Sequence, residues 1–231
     1  MNSTPPDPDS SVMAGIPRPV EALAALAGLI IASPVLALAA LGIAFTSRGR
    51  IIFRQSRVGQ DGRIFVLYKF RTMRLGQVGL QVTAGDDSRI TYVGRLLRKT
   101  KMDELPELWN VLKGDMSLVG PRPEVPRYVD LNNRKWQRVL KVRPGITDPL
   151  TLRLRNEEEL LAKVKGDRER FYLERLQPFK LQGYLEYLER RSWQNDMKIL
   201  WSTGIAVIFR KSAPHPPMNE ILTCTEEESE Q

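Results

Sequence analysis

The sequence predicts an α+β fold, mainly helical, with an N-terminal membrane helix ahead of a domain that carries one β-hairpin and several amphipathic helices. Three observations predict it. Residues 22–45 read "ALAALAGLIIASPVLALAALGIAF" without a charge. Residues 51–58 and 63–72 flank the turn "GQDG" as two short strands. From residue 93 onward, short apolar-periodic segments are punctuated by Gly, Pro and capping residues. The boundaries that follow are a Pro/Ser/Asp-rich, disordered N-terminus (1–17), a membrane helix (18–46), one domain (47–210) and a flexible acidic tail (211–231).

The apolar segment is long enough to cross a hydrocarbon core of roughly 30 Å. Ser33-Pro34 sits near its middle. Pro34 has no amide to give the carbonyl of Ile30, so a break there leaves two arms, neither long enough to cross alone. The residues leave two topologies open, a kinked span and a helix that dips in and returns. In lipid the freed carbonyl needs a partner, and the Ser33 hydroxyl is the nearby one. Arg48, Arg50, Arg54 and Arg57 follow at once and place this flank on the cytoplasmic side.

In the second strand of the hairpin, a period of two puts Lys69 and Arg71 on one face, where they can meet a phosphate or simply be solvated at an edge. "VGRLLRKTK", 93–101, is a basic amphipathic helix suited to anionic headgroups. In "KMDELPELWNVLKGDMSLVGPRPE", 101–124, Asp103 reads as an N-cap with Pro106 at the third helical position. Leu105, Leu108, Trp109 and Leu112 form the buried stripe, and Gly114 is the stop. A helix is expected over 125–141, a turn-rich link at "RPGITDP", a helix capped by Asn156, another over 178–191, and a buried or interfacial helix over 193–209.

Composition narrows the chemistry. Lys+Arg number 35 against 27 Asp+Glu, a net charge of +8 that suits anionic partners without choosing among them. Cys224 is the single cysteine, so no internal disulfide forms. His215 is the single histidine, which argues against a Ser-His-Asp triad or a His-based zinc site. Internal repeats, GxGxxG and P-loop motifs are absent. Acid–base or nucleophilic work falls to carboxylates, lysine or tyrosine.

Asp103 and Glu104 are the carboxylates to weigh. An Asp at a helix start is often a cap and nothing more. Here the helix dipole favours its ionised form, and adjacent Glu104 repels it unless a cation such as Mg²⁺ intervenes. Arg98, Lys99, Lys101 and Arg122 crowd the pair in sequence. Carboxylate, divalent metal and guanidinium are the parts of phosphoryl transfer, and a carboxylate can itself attack phosphorus.

The broken apolar segment, "FRQSRVGQDGRIFVLYKFRTM", "KMDELPELWNVLKGDMSLVGPRPE", "VRPGIT" and "SWQNDMKIL" together resemble the bacterial sugar transferases that are monotopic phosphoglycosyl transferases. The likeness covers most of residues 20–205, and the Asp-Glu helix followed by "NVLKGDMSLVGPRP" is highly specific. The resemblance implies transfer of a sugar 1-phosphate from a UDP-sugar to a polyprenyl (undecaprenyl) phosphate. UMP is released, and the product is the first lipid-linked intermediate of polysaccharide or glycoconjugate assembly. It implies Asp103 as the nucleophile that forms a phosphosugar-aspartyl enzyme and Glu104, with Asp103, as the Mg²⁺ site. Lys69, Arg71, Arg122 and Pro121 are implied phosphate or substrate contacts. It also implies a re-entrant helix broken at Ser33-Pro34 and a catalytic domain on the cytoplasmic face of the inner membrane. Homo-oligomerisation stays open.

One departure matters. Many relatives carry a "GxTGxAQ"-like segment after the Pro-Gly, where this chain reads "ITDPLTLRLRNEEELL", so sugar identity is not carried over. The chain reads as the small form, a catalytic core with one membrane segment. Two rivals are weighed. A membrane phosphatase using Asp103 would share the nucleophile but release free phosphate. A basic scaffold or nucleic-acid binder lacks aromatics interleaved with its charges, so no nucleic-acid partner is expected. Asp148, Glu157 and Asp196 receive no role.

Overall fold

The computed structural model describes residues 14–74, 87–154, 157–208 and Ile221. The segments read as a loose N-terminus up to residue 13, the proposed Asn156 cap, and the tail apart from Ile221 lie outside the described residues.

Helix α1 spans Arg18–Thr46, with Pro19 in its first turn where no amide partner is needed. It continues through Ser33-Pro34, so Pro34 lies inside a single helical element rather than between two separate helices. The reason is local. Ser33 Oγ donates to Ile30 O at 2.7 Å and satisfies the carbonyl that Pro34 leaves free. The middle of the helix faces outward, with Ile30, Ile31 and Leu38 exposed.

Both arms of α1 pack on the same body. Strands β1 (Ile52–Val58) and β2 (Ile64–Phe70) pair antiparallel as the hairpin, and α2 is Tyr92–Thr100. On the N-terminal arm, Ala25 joins Leu67, Val111 and Met116. On the C-terminal arm, Ala39 and Ile43 join Phe70 and Leu97. Two separate apolar clusters therefore anchor the two ends.

The chain leaves α2 through Lys101 in a left-handed conformation (φ 57°). A single tight turn, Met102–Glu104, follows, and then α3, Glu107–Lys113. The cap reading of Asp103 is corrected here: its side chain caps nothing, and Pro106 occupies the cap position of a helix that starts later than expected. Leu108 and Leu112 of the expected apolar stripe pack against the cluster of Ala25 and Val111, and the stripe is corrected at Trp109. Trp109 is 50% exposed, whereas Glu107, Asn110 and Val111 are buried. Specific bonds make this polar burial tolerable: Asn110 Nδ2 donates to Val66 O at 2.7 Å, and Asn110 Oδ1 accepts from Tyr68 N. Gly114 ends α3 with φ 93°, a value that favours glycine.

Strand β3 (Ser117–Val119) pairs in parallel with β4 (Gly145–Thr147). The helix expected over 125–141 is a tight turn, Pro126–Tyr128, and a short α4, Arg134–Val139. Asp130 Oδ1 takes the Asn132 amide, and Asn133 caps Lys135 and Trp136, so side chains compete for the backbone between the two pieces. Helices α5 (Pro149–Arg153), α6 (Glu157–Lys163), α7 (Arg168–Phe171), α8 (Gln177–Glu189) and α9 (Trp193–Ile208) complete the chain. A wide turn, Tyr172–Leu176, joins α7 to α8 ahead of Pro178, so the helical run begins well before the expected residue 178. The main core lies here, with Tyr128, Trp136, Leu176, Tyr184 and Leu185 buried together with Ile16 and Ile221.

Candidate active site

Four elements meet at the turn 102–104. Strand β2 brings Lys69, the turn itself brings Asp103 and Glu104, α3 brings Glu107, and the loop after β3 brings Arg122. The Pro121 carbonyl accepts from Gly145 N at 3.0 Å, Gly120 N donates to Thr147 O, and Arg57 Nη1 donates to Pro123 O at 2.9 Å. Gly145 allows this closeness, because a Cβ there would lie 2.1 Å from Gly120 N. So stapled, the Gly-Pro-Arg-Pro loop points Arg122 at Glu104.

Glu104 is gripped by two cations. Arg122 Nη2 donates to Oε1 and Arg122 Nη1 to Oε2 at 3.3 Å, while Lys69 Nζ lies 3.2 Å from Oε1. Lys69 also stands 3.1 Å from Glu107 Oε1. Asp103 is 8% exposed, and its Oδ1 is buried with no hydrogen-bond partner. Burial pushes the Asp103 carboxyl up, and the Glu104 charge adds to this. Burial alone would raise Glu104 as well, but Arg122, Lys69 and Lys101 overrule it and hold that carboxyl well below its usual range. Two adjacent acids thus sit in different electrostatic surroundings, the pattern that separates roles. Hard carboxylate oxygens at Asp103 and Glu104 are the ones available to a divalent cation, although no trio of His, Cys, Asp or Glu among the described residues forms a cage.

The sequence-expected residues divide. Asp103, Glu104, Lys69 and Arg122 come together, and Pro121 is buried in the loop that aims Arg122. Arg71 goes elsewhere. Its amide still donates to Ile51 O across the hairpin at 2.8 Å, but its side chain turns to the end of α1. Its guanidinium is 4% exposed and donates to Ser47 O, Ser47 Oγ and Arg48 O, just past the end of α1. Sequence reasoning missed Glu107, although its place four residues after Asp103 was a usable signal.

A model of the bacterial sugar transferase family matches residues 13–210. The chain belongs to the bacterial sugar transferase family. It is 36% identical over 202 residues to a UDP-glucose:undecaprenyl-phosphate glucose-1-phosphate transferase of Caulobacter vibrioides, covering 85% of this chain and 71% of that relative. It is 34% identical over 195 residues to the protein of the same name from Escherichia coli, covering 80% of this chain and 38% of the relative. It is 43% identical over 143 residues to a UDP-N-acetylgalactosamine-undecaprenyl-phosphate N-acetylgalactosaminephosphotransferase of Aeromonas hydrophila, covering 60% and 34%. The chain thus spans little more than a third of the length of two of these relatives.

Within this sugar transferase, three acids that had no role hold structure. Asp148 caps α5, accepting from Thr151 N at 2.8 Å and Thr151 Oγ1 at 2.9 Å. Glu157 meets buried Lys180 at 3.4 Å. Asp196 accepts from Tyr187 Oη at 2.7 Å and lies 4.0 Å from Arg191 Nε, which ties the end of α8 to the start of α9.

Proposed function

We propose that this protein transfers a sugar 1-phosphate from a UDP-sugar to undecaprenyl phosphate and releases UMP. One observation carries the reading: a buried, unpartnered Asp103 oxygen beside a Glu104 already held by Arg122 and Lys69. A carboxylate that no cation or hydrogen bond fully occupies can serve as the covalent nucleophile toward phosphorus. A carboxylate oxygen of Asp103 forms a bond to the β-phosphorus, and the bond from that phosphorus to the bridging oxygen breaks, so UMP leaves with the electron pair. An oxygen of the lipid phosphate then attacks the aspartyl phosphorus and frees the Asp103 carboxylate. Arg122 and Lys69 balance the phosphate charge in both steps. The carboxylates of Asp103 and Glu104 fit Mg²⁺, which keeps several waters and uses one or two protein carboxylates plus substrate phosphates. When bound, that ion neutralises charge on the diphosphate.

The membrane reading extends this. Anchoring both arms of α1 on one domain supports a helix that dips into the membrane and returns, with the donor, the lipid phosphate and Asp103 on the cytoplasmic face. Exposed Trp193, Met197 and Trp201 on α9, and Tyr92 and Leu96 on α2, support interfacial helices beside it.

The test is UMP release from a panel of UDP-sugars in nanodiscs with undecaprenyl phosphate and Mg²⁺. UMP that needs one sugar, Mg²⁺ and Asp103 supports the reading, and a stoichiometric burst without lipid supports the aspartyl enzyme. Free phosphate instead of UMP points to a phosphatase. Topology is read separately: in a Cys224→Ser background, a thiol at Pro5 labelled only from the periplasm sinks the re-entrant helix.

A further inference from the structure

Lys69 is held from two sides. Its Nζ lies 3.2 Å from Glu104 Oε1 and 3.1 Å from Glu107 Oε1. Glu104 does not need this lysine for charge balance, because Arg122 already grips both its oxygens. Glu107 is in the opposite position. It is 1% exposed, so no substrate reaches it, and its Oε1 is buried without an aligned hydrogen bond. Lys69 is the cation in ion-pair contact with it. A buried carboxylate without a compensating cation is costly, so the pairing of Glu107 with Lys69 is favoured whatever Glu104 does. Glu107 also begins α3, a helix anchored on β2 through Asn110, so carboxylate and lysine are carried by two elements already bonded together.

We propose that Glu107 is a positioning residue that keeps the Lys69 ammonium beside Asp103 when Arg122 leaves Glu104 for the incoming phosphates. This rests on the reading of Asp103 and Glu104 as the reacting pair. During transfer Glu104 exchanges partners, whereas Glu107, sealed from solvent, does not. Lys69 then keeps one fixed acceptor and directs its remaining protons at the donor.

Two readouts test it on the full chain in nanodiscs. The first is acylation of Lys69 by acetic anhydride at neutral pH, followed by peptide mass spectrometry. Glu107→Gln, which keeps the shape and removes the charge, is expected to raise Lys69 labelling severalfold. Glu107→Asp, which keeps the charge, should give an intermediate value, and it serves alone if the Gln variant fails to fold. Unchanged labelling in the folded variants overturns the proposal. The second is steady-state UMP release. Glu107→Gln should raise KM for the UDP-sugar about tenfold. Glu107→Gln combined with Lys69→Met should be no worse than Lys69→Met alone, because both act through one ammonium. Additive losses overturn the proposal. A wild-type protein that releases no UMP defeats the transferase reading, and the labelling still decides whether Glu107 holds Lys69.

Discussion

Glu21, in the first turn of α1, accepts the backbone amide of Leu118 at 3.0 Å. The same oxygen takes the Ser117 hydroxyl. Arg18, three residues earlier, donates to Val111 O and to Leu112 O at 3.0 Å, carbonyls of the last turn of α3. The entry of α1 is therefore bonded to the helix that follows the Asp-Glu turn and to the strand that precedes the Arg122 loop. Glu21→Ala leaves the partly buried Leu118 amide and the buried Ser117 hydroxyl without this acceptor. We expect a loss of about 3 kcal/mol, typical of a buried bond to a charged group. At about 2–4 °C per kcal/mol this lowers the melting midpoint by roughly 6–12 °C. A thermal scan in nanodiscs checks it, and a shift under about 2 °C contradicts the anchoring role.

Arg122 reaches both oxygens of Glu104, a fork that a single ammonium cannot copy. Arg122→Lys should therefore cost UMP release roughly 10²-fold in kcat, the scale seen when one donor to developing charge is removed. The melting midpoint should move less than the activity: Arg122 Nη1 also donates to Ile146 O at 3.3 Å, but bonds at Gly120, Pro121 and Pro123 hold the loop without it. Full activity in Arg122→Lys would mean that the guanidinium only neutralises Glu104.

How much of this was legible in the sequence depends on range. The hairpin was, because alternation and a Gly-bounded turn are local signals, and β1 and β2 fall within a few residues of the reading. The meeting of Asp103, Glu104, Lys69 and Arg122 was not derivable from local pattern; family likeness supplied it. The apolar stripe of α3 misled, because Trp109 is apolar yet faces out, whereas Asn110 is polar yet fully buried against β2. That inversion comes from a strand edge more than forty residues away in sequence. Arg71 was placed by partners also far off in sequence: Ser47 and Arg48, just past the end of α1, take its guanidinium.

Gly145 offers a test of the loop rather than of a side chain. A methyl group there would stand 2.1 Å from Gly120 N and 2.5 Å from Gly120 O, both backbone atoms that cannot rotate away. Gly145→Ala must push β4 from the Gly-Pro-Arg-Pro loop and break the Gly145 N to Pro121 O bond. We expect poorly folded protein, or folded protein whose UMP release falls at least as far as in Arg122→Lys. Near-normal activity would show that the loop tolerates displacement.

The last prediction concerns a buried network behind that loop. Glu124 accepts from Tyr172 Oη and lies 3.3 Å from Lys180 Nζ, with both charged side chains almost fully buried. Burial would raise the Glu124 carboxyl, but Lys180, Arg57 and the Tyr172 hydroxyl together bring it below its usual value. A carboxyl depressed in the folded state contributes stability that is present above its unfolded value, about 4.3, and is lost as pH falls through the folded value. Lys180 is raised despite its burial, held up by Glu157, Tyr172 and Glu124, so its contribution is present below about 10.4 and is lost as pH rises through the folded value. Among the described residues, Glu124→Gln leaves Lys180 with only Glu157, at 3.4 Å, as a charged partner in ion-pair contact. Breaking a buried pair typically costs 3–5 kcal/mol, and the remaining contact argues for the lower figure, about 3 kcal/mol at pH 7. The difference in melting midpoint between wild type and Glu124→Gln should therefore be large at pH 7 and shrink as pH drops below about 4. A difference that stays constant over that range would mean that Glu124 is not ionised in the folded protein, and that the network holds the Arg122 loop by shape alone.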